Sequence, residues 1–192
     1  MKILYIHGYG GSANGTTSNL IQNELSKCFP KLEICAPQMS NDLMNFTHDV
    51  KKIKQLNEQF CPDLVISSSY GAMCTLIAEL PHVQQIMINP CLNPLAIMPK
   101  ILDAITINDL SRLKKIGDML SELSLENSNI SYLISENDEL FGDAQVDYSV
   151  NYLIKHRVST SSICLIKSNS HHLTTGIIQE YLVPLINIKK KI

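Results

Sequence analysis

Six short runs of apolar, largely β-branched residues recur along the chain, separated by stretches of helical spacing. This alternation limits the possible folds more than any other feature. The runs span residues 2–6, 32–36, 64–67, 85–88, 130–134 and 162–167. Most are apolar throughout, as strands are when helices cover both faces of their sheet. Helices are expected at 17–28, 43–60, 70–79, 109–123, 145–157 and 173–188. In the fourth of these, Leu110, Leu113, Ile116, Leu120 and Leu123 form one apolar stripe. Pro184 has no N–H to donate and should kink the last helix or restart it. The pattern predicts a three-layer α/β/α sandwich around a mainly parallel sheet of about six strands, with right-handed crossovers.

Between Asn89 and Asn129 the rhythm breaks, with about forty residues where a short connection is usual. Pro90, Pro94 and Pro99 at its start prevent one continuous helix. The segment reads either as a small helical cap over the carboxyl edge of the sheet or as two ordinary packing helices. Without repeats or low-complexity linkers, residues 1–192 are expected to form a single domain.

Charge narrows the function classes. Sixteen basic and eighteen acidic residues leave a formal charge of −2, with no basic footprint for nucleic acid or a membrane surface. The basic end at Lys189–Lys191 reads as a solvated helix terminus. The apolar stretch "ILYI" is too short for a signal peptide, and no segment is long enough to span a bilayer. Six cysteines without a CxxC pair read as reduced, mostly core thiols. The expected location is the cytoplasm.

The third run enters "ISSSYGA", where three serines crowd a strand-to-helix junction. At a nucleophile elbow, the residues two before and two after the nucleophile come close together and must be small. Ser68 would be flanked by Ile66 and Tyr70, both too large. Ser67 would still lie within the strand. Only Ser69, flanked by Ser67 and Gly71, satisfies the constraint. The plainer reading is a polar turn in which Ser69 caps the helix.

A serine nucleophile needs a base, and the base needs a group that holds its tautomer. The fifth strand is followed by "ENDELFGD", which offers Asp138 with Glu136 and Glu139 as neighbours. The sixth is followed by "SNSHHLTTG", which offers His171 and His172. The first strand ends in "HGYGGSANG", whose glycines let the loop fold back towards the serine. The N–H groups of Tyr70 and Tyr9 are the expected oxyanion donors.

Together these stretches resemble the α/β-hydrolase superfamily and, within it, the small YqiA-like esterases. The resemblance rests on "ILYIHGYGGS", "LVISSSYGA", "IMINPCLNP", "ENDELF" and "SHHLTTGIIQEYLVPLI", in that order over nearly the whole chain. It implies a compact α/β-hydrolase fold, with Ser69 as nucleophile, Asp138 as the acid and His171, rather than His172, as the base. It also implies oxyanion donation from Tyr9 and Tyr70. Ser67 in place of the usual glycine, and Ser170 and His172 beside the histidine, are departures from the family pattern. The expected substrate is a small-molecule carboxylic ester or thioester, cleaved without a cofactor. His7, Gly8, Leu140, Phe141 and His172 are expected around the pocket, with Tyr9 and Tyr70 among its walls.

Two other classes compete. Gly8, Gly10 and Ala13 satisfy a G-x-G-x-x-A dinucleotide fingerprint, but the second strand ends in Ala36, Pro37 and Gln38, without the acidic residue that would hold a ribose. A non-catalytic binding module of the same fold is the other. A metal site on His171, His172 and Asp138 has the right residue types but no supporting ligand spacing. His7 is expected to satisfy backbone groups near the site. His48, His82 and His156 are expected at the surface, and Met39, Met44, Met73, Met87, Met98 and Met119 in the core.

Overall fold

All six apolar runs form strands: β1 (Lys2–Ile6), β2 (Glu33–Cys35), β3 (Leu64–Ser68), β4 (Gln84–Ile88), β5 (Ile130–Ser135) and β6 (Ile163–Ile166). They pair in parallel in the order β2-β1-β3-β4-β5-β6. The computed structural model describes residues 1–40, 42–80, 82–102, 104–126 and 129–189; Lys190 and Lys191 of the basic end lie outside the described residues. Helices α1 (Thr16–Cys28), α2 (Phe46–Phe60), α3 (Ser69–Ala78), α4 (Pro94–Ile97), α5 (Ile107–Glu122), α6 (Asp143–Lys155), α7 (Thr175–Ile177) and α8 (Val183–Lys189) connect and follow the strands.

Successive strand residues point to opposite faces, and this divides the core in two. Leu4, Ile6, Val65, Met87, Tyr132 and Ile134 pack with α2, α3, α5 and α6. Ile3, Tyr5, Ile66, Ile86, Ile88 and Leu133 pack with α1 and the C-terminal helices. The result is the expected three-layer sandwich. Chain order reverses direction between β1 and β3, since β1 leads outward to β2 and the chain then returns to the other side. Open α/β sheets place their ligand crevice at such a reversal, outside the carboxyl ends of the strands.

Local chemistry moves several boundaries. Helix α5 starts two residues ahead of the expected Asp109, because Thr106 and Asp109 form a reciprocal capping box, with Asp109 N–H donating to Thr106 Oγ1 (3.1 Å) and Thr106 N–H to Asp109 Oδ2 (2.9 Å). Only Leu113, Ile116 and Leu120 of its stripe are buried, while Leu110 at its start is exposed. The helix expected from residue 43 opens instead as a 3₁₀ turn, Leu43–Asn45, capped by Asp42 Oδ1 (2.8 Å from Met44 N). A wide π turn, Ile178–Leu182, runs into Pro184, so the last helix restarts there, as the missing donor requires. The segment after β4 contains α4, a 3₁₀ turn at Met98–Lys100 and α5.

Some bland expectations fail. Met44 and Met119 are exposed rather than in the core. His156 is half-buried rather than on the surface; its Nδ1 lies 2.9 Å from the Leu123 carbonyl and its ring stacks on Tyr152. Cys74 and Cys91 are buried, whereas Cys28 and Cys61 are exposed. Among the described residues no helix is long and apolar enough to cross a membrane.

Helix α3 begins directly over the end of β1. A Cβ on Gly71 would lie 2.4 Å from the His7 carbonyl oxygen and 2.7 Å from that of Ile6, both backbone atoms with little freedom to move. Gly71→Ala should destabilise the protein by about 1–3 kcal/mol, as overpacked sites do. Gly117→Ala is the control: its Cβ meets nothing within 4 Å in mid-α5, so it should gain up to about 1 kcal/mol. Urea unfolding midpoints of the two variants test both.

Candidate active site

The three serines at the end of β3 diverge. Ser67 is fully buried, and its hydroxyl donates to Met87 Sδ (2.9 Å). Ser68 turns to the opposite face, where its Oγ is 3.2 Å from the Tyr5 phenol. Ser69 is the first residue of α3 and has φ 50°, a left-handed conformation rare for a side-chain-bearing residue. The helix N-cap is Ser68, with no side-chain capping bond, so Ser69 is not a helix cap. Strain of this kind costs about 1–3 kcal/mol and persists where the surroundings over-determine it.

The loops after β5 and β6 bring an imidazole to a carboxylate. His171 Nδ1 lies 2.7 Å from Asp138 Oδ2, and both side chains are almost wholly buried. Asp138 Oδ1 accepts the N–H groups of Leu140 (2.9 Å) and Phe141 (2.8 Å), which fixes the carboxylate plane. With Nδ1–H donating to Asp138, Nε2 carries the lone pair. Of the neighbouring acids, Glu139 Oε1 accepts the His171 backbone N–H (3.4 Å), and the backbone N–H of Glu136 donates to the Ile166 carbonyl. His172 is exposed, with its ring edge-on to that of His171 at 5.6 Å.

Asn89, within the stretch "IMINPCLNP", holds a place at the site that the sequence motifs do not mark. It directly follows β4, with φ 43°, and is buried. Its Nδ2 donates to the His171 carbonyl (3.0 Å) and to Ser135 Oγ (3.1 Å), while its Oδ1 accepts the Ser135 N–H (2.8 Å). One amide thus ties the tips of β4 and β5 to the histidine loop. An asparagine just past the end of an apolar run is the signal that the sequence offers.

The glycine loop after β1 lies against the elbow. A Cβ on Gly8 would sit 3.2 Å from Ser69 Cβ. His7 is buried; its Nε2 accepts the Met39 N–H (3.1 Å) and its Nδ1–H donates to the Gly8 carbonyl (2.8 Å). Desolvation lowers the His7 pKa, with the Gly8 carbonyl and the charge of Asp49 opposing that shift. As expected, this histidine satisfies backbone groups beside the site.

A cavity of about 410 Å³ joins these parts and is lined by Ser69, His171, His7, Gly8, Tyr9, Leu140 and His172, together with the start of α1. Two expectations change here. The Tyr70 ring is no pocket wall: it is buried, edge-on to Phe46 and Tyr9, and donates its hydroxyl to Asp49 Oδ2 (3.1 Å). Only its backbone, second in α3, is near Ser69. Phe141 is absent from the lining because its ring backs the His171 imidazole at 4.5 Å. The dinucleotide-like loop is closed onto the loop that follows β2: Ala13 N–H donates to Gln38 Oε1 (3.1 Å). Among the described residues no three His, Cys, Asp or Glu side chains converge as a metal site requires.

Residues 2–157 match the model of an uncharacterised protein family, UPF0227. A search of curated proteins finds no match. Among solved structures, the esterase domain of a Rhodothermus marinus protein superposes with a TM-score of 0.69 at 14% identity, over 97% of this chain and 86% of that one. Est1E from Butyrivibrio proteoclasticus gives 0.68 at 15%, over 100% and 88%. A protein of Xanthomonas campestris pv. campestris assigned to the alpha/beta superfamily of hydrolases gives 0.63 at 11%, over 100% and 98%. Likeness at such low identity establishes a shared fold, that of the α/β-hydrolases.

The His7 arrangement has a measurable consequence. Its folded pKa is lowered from the ordinary value of 6.5, so the unfolded chain takes up the proton first as pH falls. The contribution of this group to stability is complete above about pH 6.5 and declines in the window below it. Urea unfolding at pH 7.5 and pH 5.5 should show that loss in the wild-type protein. The loss should be smaller in His7→Asn, which has no such proton to bind.

Proposed function

The chain belongs to the UPF0227 family, and from that footing and the geometry of its site we propose that it is a serine hydrolase cleaving carboxylic esters, thioesters included. The observation that carries this reading is Ser69 in a left-handed backbone at the β3–α3 turn, sharing a cavity with an imidazole held by a buried carboxylate. A left-handed serine at a strand end presents its hydroxyl outward, and a histidine whose Nδ1–H is engaged offers Nε2 as a base.

In the proposed cycle, His171 Nε2 takes the Ser69 proton as Oγ attacks the ester carbonyl. Asp138 holds the imidazole in the required tautomer and stabilises the imidazolium. The N–H groups of Tyr70 and Tyr9 receive the developing oxyanion, Tyr70 at the positive end of α3 and Tyr9 immediately after Gly8, which abuts the serine. His171 then protonates the departing alcohol. Water, activated by the same imidazole, releases the acid from Ser69. No cofactor takes part in this cycle.

The lining favours an uncharged ester. Among the described residues it contains no lysine, arginine, aspartate or glutamate, but hydroxyl groups from Tyr5, Ser12, Thr17 and Ser18 beside Ile88, Ile101 and Leu173. A formal charge on the substrate would lose hydration without gaining an ionic partner.

A fluorophosphonate should label Ser69, identified by mapping the modified peptide; labelling of Ser68, or none in folded protein, would overturn the assignment. Against p-nitrophenyl acetate, Ser69→Ala should lose up to about a millionfold in kcat and Asp138→Asn about ten-thousandfold. His171→Ala should be inactive, and His172→Ala should keep most of its turnover. A dead His172 variant with an active His171 variant would move the base by one residue.

A further inference from the structure

Both amides assigned to the oxyanion belong to segments anchored on one short loop, residues 38–40, which follows β2. On one side, Met39 N–H donates to His7 Nε2 (3.1 Å), and His7 Nδ1–H donates to the carbonyl of Gly8 (2.8 Å), the residue before Tyr9. Further along the glycine loop, Ala13 N–H donates to Gln38 Oε1 (3.1 Å). On the other side stands Asp49, on α2 and 0% exposed. Its Oδ1 accepts the Ser40 N–H (3.0 Å), and its Oδ2 accepts the hydroxyls of Ser40 (2.6 Å) and Tyr70 (3.1 Å). Lys52 Nζ closes the loop by donating to the Gln38 carbonyl (2.7 Å).

We propose that Asp49 is a positioning residue that sets the spacing of the two oxyanion donors, by tying Tyr70 to the loop that also holds His7 and Gly8. The inference rests on the serine-hydrolase reading above. Asp49 does not line the cavity, so it meets neither substrate nor nucleophile. Packing alone does not account for it, because a carboxylate taken out of water costs several kcal/mol unless its oxygens are satisfied. Three donors satisfy it, and one of them belongs to the residue that follows the nucleophile. The rings of Tyr9 and Tyr70 meet edge to face at 5.8 Å, so the two donor-bearing residues also touch directly. An oxyanion hole works only when its donors lie about 2.7–3.1 Å from the developing charge. A small slackening of this network therefore weakens the transition state rather than substrate binding.

The test uses Asp49→Asn and Tyr70→Phe, each checked for folding by circular dichroism. Turnover is measured with an aryl ester and with its thiono analogue, in which sulfur replaces the carbonyl oxygen. Sulfur is a poor acceptor, so an intact oxyanion hole makes the oxo ester much the faster substrate. In both variants kcat for the oxo ester should fall about tenfold to a hundredfold, with KM within about twofold. The oxo-to-thiono rate ratio should fall with it, while the pH profile stays in place because Asp138 and His171 are untouched. A residue that only stabilised the fold would leave the ratio unchanged. A folded variant with wild-type kcat and ratio overturns the proposal, and Tyr70→Phe decides alone if Asp49→Asn does not fold. Fluorophosphonate labelling of the wild-type protein is run first: without it the hydrolase reading fails, whereas labelling with an unchanged ratio removes only the role of Asp49.

Discussion

The site depends on how closely the first turn of α3 crosses the end of β1. The strands are in register there, Ile6 beside Ser67, and the helix leaves β3 over carbonyl oxygens that admit no side chain at Gly71. A chain that must leave a strand and begin a helix within one residue has few conformations open to it, and Ser69 takes the left-handed one. The strain stays local because sheet pairing on one side and a wholly buried α3 on the other leave no route for relaxation.

Around that crossing, each loop of the carboxyl edge is held by a buried polar side chain with its hydrogen bonds filled. His7 holds the glycine loop to residue 39, Asp49 holds residue 40 to α3, Asn89 holds the histidine loop to β5, and Asp138 holds its own turn and the imidazole. Among the described residues four buried side-chain polar atoms do lack partners, in Asn57, Gln85, Arg112 and Tyr132, and none of these residues lines the cavity at Ser69. Satisfied polar networks specify geometry more sharply than apolar contact does, since a displaced donor leaves a buried acceptor unpaired at a cost of about 1–3 kcal/mol. Such precision suits a site whose chemistry depends on aim.

The fold was legible because its determinants are local and repeated. Apolar runs covered on both faces read as parallel strands wherever they occur, and Ser69 could be singled out among three serines because steric limits at positions 67 and 71 act within five residues. Boundaries were less legible where hydrogen bonds of a few polar atoms decide them, as in the Thr106–Asp109 box that starts α5 at Ile107. Exposure of individual residues was less legible still. Met44 and Met119 lie on helical turns whose outward faces no composition rule identifies.

The sequence by itself determined the succession of strands and helices along the chain, the small residues flanking Ser69, and the presence of acidic residues and two histidines after the last two strands. Tertiary structure decided which atoms meet. His171 and Asp138 are 33 positions apart, and nothing local chooses Asp138 Oδ2 over the side chains of Glu136 and Glu139, or one imidazole over its neighbour. The same holds for Tyr70, whose ring turned into the core to reach Asp49, 21 positions away. Covalent neighbours restrict only the directions a side chain can take; the partner at the end of each direction is set by how separate strands and helices pack, and so appears only in the folded chain.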